Sequence, residues 1–330
     1  MNITRQSMLA MAAAVAAAFG VVLPGCKPAP AAVVPAGVET RTIVDALGHE
    51  VVIPARPQRV LAMSEADLGA MLGLGVKPYG APAGRGQQTF PHYLKEQCDG
   101  VELMGALYRP SFDRVIGARP DLILCGGWQD ADIVNKLRRI APVVQTYAAT
   151  DSWRAAIQGV GEALNLQAEA EAFLADYDRR VAEVRRELGE KAAQSASIVR
   201  WNPKGPVYMY ADSFARKVLA DIGMAVPAAQ TDPGYAHSKT MSFEMLSVID
   251  ADWIFLGTLN GEGEAQKALD AALENPAFAQ LNAVKNDRVI VVDGSMWTSA
   301  GGPLAARGIV EEVYQALKSG SESTQSRKEH

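Results

Sequence analysis

Two segments of this chain repeat one another without a gap. Ser111-Phe112-Asp113 through Asp121-Leu122-Ile123-Leu124-Cys125-Gly126 is matched by Ser242-Phe243-Glu244 through Asp252-Trp253-Ile254-Phe255-Leu256-Gly257, at a constant offset of 131 residues. Each copy reads as a short helix opened by serine, with a carboxylate two residues on, followed by an apolar strand that stops at glycine. A serine-capped helix before an apolar strand recurs in many α/β proteins, so the flanks carry the case for duplication. Val60-Leu61-Ala62-Met63 leads into a helix closed by Leu74-Gly75-Val76 and Pro78, and Val207-Tyr208-Met209-Tyr210 into one closed by Ile222-Gly223-Met224 and Pro227. Solenoids stack many units of shorter period. A long unit present twice predicts two similar α/β lobes with a cleft between them.

The first residues give the destination. Arg5 supplies a positive start, Met8 to Val22 form an apolar run rich in alanine and valine, and Leu23-Pro24-Gly25-Cys26 closes it, the layout of an export signal. The run is short for a transmembrane span. Leu-x-Gly-Cys is similar to a bacterial lipobox, which implies cleavage before Cys26 and acylation of its thiol; an uncleaved anchor or a signal without lipid is the alternative. Both place the folded part outside the cytoplasm.

Segments 1–26 and 27–38 are therefore expected to be the leader with its lipobox cysteine and an alanine- and proline-rich tether. A first lobe is expected over 39–165, a second over 193–318, and a polar, frayed tail over 319–330. A hydrophobic fraction of 48% allows each lobe its own core. Net charge is −5, about −6 once Arg5 is removed, with both signs scattered through the chain, which disfavours nucleic acid as a partner. Cys98 and Cys125 remain after Cys26 and either pair across one lobe or pack as small hydrophobes. His49, His92, His237 and His330 lack the close spacing of a zinc site, so no metal site is expected.

Strands at Arg59–Met63, 122–124 and Val143–Thr146 alternate with helices, which implies parallel sheets covered by helices. From Gln167 to Lys191, Ala170, Phe173, Leu174, Tyr177, Val181 and Val184 recur at helical spacing without proline. A single long helix over 166–192 is thus expected to join two Rossmann-like lobes as a stiff strut.

These residues resemble the class III solute-binding proteins that serve ATP-driven importers of ferric siderophores, haem and cobalamin. The likeness spans nearly all of the mature chain. It rests on Asp45-Ala46-Leu47-Gly48-His49 with Ile53-Pro54-Ala55-Arg56-Pro57-Gln58-Arg59-Val60, on the two Ser-Phe-acid helices, on the interlobe helix, and on Trp297 to Gly301-Gly302-Pro303-Leu304-Ala305-Ala306. The last motif looks like the iron-siderophore branch. The resemblance implies a monomeric, lipid-anchored receptor, no enzyme and without an intrinsic cofactor, that holds its ligand between the lobes and partners an ABC permease with its ATPase. The family's two docking carboxylates fall on Asp113 and Glu244; aspartate at the first departs from the usual glutamate and is one methylene shorter.

A ferric siderophore is bulky and oxygen-rich, so a fitting cleft offers aromatic walls and a few arginine donors. Arg85 in the loop Gly84-Arg85-Gly86, Tyr108 and Arg109 lie where the family places cleft residues, and Trp128 follows the first-lobe strand. Arg200, Trp201 and Tyr210 on or beside second-lobe strands, Tyr235 and His237 in a polar loop, and Trp297 before the glycine turn complete the candidates. Arg85, Arg200, Tyr210 and Trp297 lead them. Iron is expected to arrive wrapped in its chelator.

Haem is the nearest alternative ligand, with Tyr235 or His237 opposite His92 as an axial pair; cobalamin fits the same aromatic cleft. An exported enzyme is disfavoured, since Gly80, Gly84 and Gly86 do not spell a dinucleotide fingerprint and neither a Walker loop nor a Gly-x-Ser-x-Gly elbow occurs. A tethered ligand sensor is the other alternative of a different class.

Overall fold

The computed structural model describes residues 34–328, with side chains to 319; the leader, Cys26 and residues 27–33 of the expected tether lie outside the described residues. The chain opens with an antiparallel pair, Thr40–Val44 against Glu50–Pro54. Asp45 closes its turn by accepting from the backbone N–H groups of Leu47 and His49, both at 2.9 Å. The motif Asp45 to His49 is thus a side-chain-capped turn.

Five strands form the first lobe's sheet, in the order Glu102–Leu103, Gly80–Ala81, Val60–Ala62, Leu122–Leu124 and Val143–Val144, and every pairing is parallel. The central strands are buried on both faces, which is why they read as unbroken apolar runs rather than as alternation.

The second lobe's sheet runs Gly205–Tyr208, Ala196–Asn202, Trp253–Gly257 and Val289–Val291. Its last three strands are parallel, but Gly205–Tyr208 pairs antiparallel with Ala196–Asn202 as a hairpin at the edge. The repeat is therefore inexact. In the first lobe the strand that feeds the helix Glu65–Gly73 pairs directly with the repeated strand; in the second, Ala196–Asn202 takes that place and a hairpin intervenes before the helix Phe214–Ile222. The Ser-Phe-acid segments differ too. Phe112–Ala118 is α-helical, whereas Phe243–Ile249 is a 3₁₀ helix. Neither serine hydroxyl caps its helix; that of Ser242 bonds the Glu244 carboxylate instead.

The expected strut is the helix Gln167–Leu188, continued by a 3₁₀ turn over Gly189–Ala193. It does not connect the lobes alone. The last helix, Pro303–Lys328, packs on the first-lobe helix Glu65–Gly73, on the strut and on the second-lobe helix Phe214–Ile222. The expected frayed tail instead prolongs this helix as far as Lys328.

One apolar cluster consequently crosses the lobe boundary, from Leu68 and Met71 through Phe173, Tyr177 and Val184 to Leu219, Ile222 and Val313. Each such side chain stabilises the seam by roughly 1.5–3 kcal/mol relative to exposure. Gly73 permits the close approach, because a Cβ there would stand 3.1 Å from the Phe173 ring. On the outer side Arg154 of the helix Trp153–Leu164 reaches Asp178 of the strut at 2.5 Å and Asp221 of the second lobe at 3.6 Å. Both lobes are thus gripped along a shared helical seam.

Candidate functional site

The cleft has a volume of about 620 Å³ and takes walls from both lobes. Arg85, Tyr108 and Trp128 stand on the first-lobe side, Lys217 and Tyr235 on the other, and Ser299 beside them. In the first lobe the walls grow from the carboxyl ends of parallel strands, where open α/β sheets gather their ligand residues. Tyr108 takes a positive φ of 60° at the tip of the hairpin Gly105–Ala106 to Arg109–Pro110. Its ring meets Trp128 edge to face at 5.6 Å, and the Arg85 guanidinium lies 5.9 Å from it. Trp128 is oriented by its indole N–H, which donates to the Met63 carbonyl at 3.0 Å. Together these groups make an aromatic wall topped by a cation.

Two buried carboxyl groups, Glu65 and Asp67, flank Ala66, which lines the cleft. Asp67 accepts from the Ser64 hydroxyl at 2.7 Å, from the Gly126 backbone N–H at 2.9 Å and from the Thr146 hydroxyl, so it ties three strand ends together. Glu65 accepts from the Tyr93 hydroxyl at 3.1 Å and from the Ser299 hydroxyl at 2.6 Å. Burial pushes the Glu65 carboxyl up to about 7, the two hydroxyls and the Arg85 charge opposing the rise and Asp293 adding to it. Asp67 is likewise raised by burial, against its three hydrogen bonds.

The remaining candidates fall elsewhere. Trp201 is buried among Phe243 and Phe278. Trp297 stacks on Phe255 with centroids 4.5 Å apart and donates its indole N–H to Glu312 at 2.6 Å. Both indoles serve the core, contrary to expectation, because their rings are enclosed by apolar neighbours. Tyr210 packs on Tyr208 and over Gly234, outside the cleft wall. Arg109 is exposed and does not line the cleft wall. His237 turns its Nδ1 to the Ser238 carbonyl at 2.8 Å, and His92 lies beside Gly261; neither joins Tyr235 at the cleft. Arg200 is 8% exposed and does not line the cleft wall, but it is near enough to Arg85 for the like charge to be felt.

Sequence reasoning missed Tyr147, Lys217, Glu65 and Ser299. Tyr147 lies over Gly126 and Gly127, where any Cβ would stand within 3 Å of its ring. The glycine pair closing the strand was the available signal.

Cys98 and Cys125 are free and buried in separate apolar clusters. Burial raises both thiols, Cys98 to about 11. Asp113 and Glu244 stand exposed in the first turns of their helices, with Ile116 exposed one turn on from the first and Met245 beside the second.

Two parallel-cored α/β lobes with a cleft between them, joined along a helical back, define a class III periplasmic binding protein fold. The chain belongs to the periplasmic binding protein family, whose model matches residues 89–296. It is 30% identical over 298 residues to the iron(3+)-hydroxamate-binding protein FhuD of Bacillus subtilis (strain 168), covering 85% of this chain and 87% of that one. It is 28% identical over 282 residues to the "Probable siderophore-binding lipoprotein YfiY" of the same organism, with 83% and 87% covered. Among solved structures it resembles Staphylococcus aureus SirA complexed with staphyloferrin B, with a TM-score of 0.73 and 25% identity over 84% of this chain and 99% of that one.

Proposed function

We propose that this chain is an extracytoplasmic receptor, not an enzyme, that captures a ferric siderophore between its lobes and delivers it to an ABC importer. The observation that carries the reading is the composition of the cleft: Arg85, Tyr108 and Trp128 of one lobe face Lys217 and Tyr235 of the other across about 620 Å³. Cations and aromatic rings suit a bulky, oxygen-rich chelate, and the volume is that of a small-molecule site. The relatives named for hydroxamate, siderophore or staphyloferrin B binding support it. Iron enters as cargo within its chelator and needs no ligand from the protein. Acylation at Cys26 would hold the mature chain at the membrane.

Asp113 and Glu244 are the proposed docking carboxylates for the permease. Each is exposed in a helix first turn, where negative charge complements the helix dipole, and each has an exposed apolar neighbour, Ile116 or Met245. The Ser242 hydroxyl holds the Glu244 carboxyl below its usual range, so it is ionised for a cationic partner. Haem lacks the histidine that its axial pair would need at the cleft, since His92 and His237 both lie off its walls.

Titration of the soluble chain, starting after Cys26, tests the reading by tryptophan fluorescence and the visible spectrum. Saturable one-to-one quenching by a ferric siderophore, without a Soret shift when haem is added, is the expected result. A moving Soret band would transfer the site to haem, and silence towards every siderophore would contradict the receptor reading.

A further inference from the structure

We propose that the docking segment Phe243–Ile249 is a two-state element, 3₁₀ or α, and that the buried Arg216 and Gln230 couple its winding to the cleft. The inference rests on the receptor reading and deepens it: capture of the chelate re-aims Glu244 for the permease. It starts from the inequality of the two repeated segments. Phe112–Ala118 is α-helical, with the Val115 N–H on the Ser111 carbonyl four residues back. Phe243–Ile249 is a seven-residue 3₁₀ helix, with the Met245 N–H on the Ser242 carbonyl three residues back. Runs of 3₁₀ beyond three or four residues are uncommon, because the winding is tighter and its hydrogen bonds are poorer. The first lobe shows that a segment with the same opening also takes the α form. Four residues rise about 8 Å in one form and about 6 Å in the other, so rewinding moves Glu244 by about 2 Å along the axis and turns it by about 80° relative to Val248.

The link runs from Val248 back to the cleft. Gln230, fully buried, donates from Nε2 to the Val248 carbonyl at 3.0 Å and to the Ser197 hydroxyl at 2.6 Å. Its Oε1 accepts from Arg216 Nη2 at 2.7 Å, and Arg216 Nη1 donates to the Ala196 carbonyl. Arg216 lies in the helix Phe214–Ile222 between Phe214 and Lys217, both of which line the cleft. A chelate that draws on Lys217 therefore loads the turn that carries Arg216 and, through Gln230, the end of the docking segment.

Packing alone does not account for this network. Among the described residues no carboxylate pairs with Arg216, its Nε has no acceptor, and burial lowers its guanidinium to about 10. A buried cation in that condition costs more than an apolar side chain of similar volume in the same place. The first lobe fastens its docking helix differently. There the Ala118 carbonyl accepts from Arg59 Nε at 2.9 Å and Nη2 at 2.5 Å, and Arg59 lies over the Tyr79 ring. Neither Arg59 nor Tyr79 lines the cleft, so the coupling belongs to the second lobe.

The test places an environment-sensitive fluorophore on Met245→Cys and, in a second protein, on Ile116→Cys, both exposed positions. Cys98 and Cys125 are buried and the soluble chain starts after Cys26, so labelling is confined to the introduced thiol. Each protein is titrated with ferric staphyloferrin B, ferric citrate, ferrichrome and ferri-bacillibactin while tryptophan fluorescence reports binding. For a chelate that saturates, the Met245 label is expected to shift its emission with the same half-saturation and the Ile116 label to stay unmoved. Arg216→Met and Gln230→Leu, checked by thermal melting, should bind within about twofold of wild type and lose the shift. Should neither variant fold, the two labels decide. An unmoved Met245 label at saturation would overturn the inference without recourse to the variants. A shift that persists in the variants, or one of equal size at Ile116, would assign it to movement of whole lobes and overturn it as well. Binding of none of the four would remove the receptor reading, and the inference with it.

Discussion

The Ser299 hydroxyl donates to Oε2 of Glu65 at 2.6 Å, joining the loop after the second lobe's sheet to the first turn of a first-lobe helix. Gly301 and Gly302 make the join possible. Gly301 takes φ +71° under the Phe214 ring, and a Cβ at Gly302 would stand 3.0 Å from the Ala66 Cα. The turn between Trp297 and Pro303 is thus where the chain crosses back against the first lobe before its last helix begins. The same crossing brings the Thr298 carbonyl to Arg200 and Ser299 to the cleft.

Glu65 should make stability fall as pH rises through the neutral range. Its carboxyl binds a proton more tightly in the folded chain, at about 7, than in the unfolded chain, where it keeps the ordinary value of 4.5. Between those values the folded state holds more protons, so this contribution is full below pH 4.5 and lost as pH passes 7. The size is about 3 kcal/mol. Glu65→Gln should remove it, so that denaturant curves of wild type and variant diverge in the variant's favour from acid to mildly alkaline pH. Parallel pH profiles would contradict the account.

Trp297→Ala should act on the core. Loss of the stack on Phe255 and of the bond to Glu312 is expected to cost about 3–5 kcal/mol in urea unfolding. Tyr108→Ala, at a 37% exposed cleft residue, should weaken siderophore binding while the unfolding midpoint stays near wild type. A Trp297→Ala protein as stable as wild type would show that the indole is not a core element.

Gly159→Ala should destabilise, although alanine is the better helix former. A Cβ at Gly159, inside the helix Trp153–Leu164, would stand 1.9 Å from the Thr146 carbonyl oxygen, a backbone atom that cannot swing away. The displacement would cost about 1–3 kcal/mol, more than the gain in propensity. It would also disturb Thr146, which holds Asp67 under the cleft. A raised melting temperature would refute the close contact.

Much of the architecture was legible because its signals are local. The strand Leu122–Leu124 is a bounded apolar run, and the strut Gln167–Leu188 keeps an unbroken helical period. The second-lobe hairpin escaped notice even though Pro203-Lys204-Gly205 marks its turn. Site residues were harder because an aromatic at a strand end reads the same whether it faces core or cleft. Arg200 and Trp201 illustrate the limit. Neighbours on a strand point to opposite faces, so both could not serve one site, and the indole went to the core. Lys217 could not be found from spacing, because only the hairpin decides which end of the helix Phe214–Ile222 meets the cleft.

The central claim is tested most directly by uptake of radioactive ferric siderophore into cells in which this chain is deleted and then restored as wild type, as Arg85→Gln with Lys217→Gln at the cleft, or as Asp113→Lys with Glu244→Lys. The account predicts that deletion abolishes uptake and wild type restores it. The cleft variant should fail because it no longer binds, and the charge-reversed variant should fail although the purified protein binds as wild type does. Undiminished uptake after deletion, or full uptake with both docking carboxylates reversed, would contradict it.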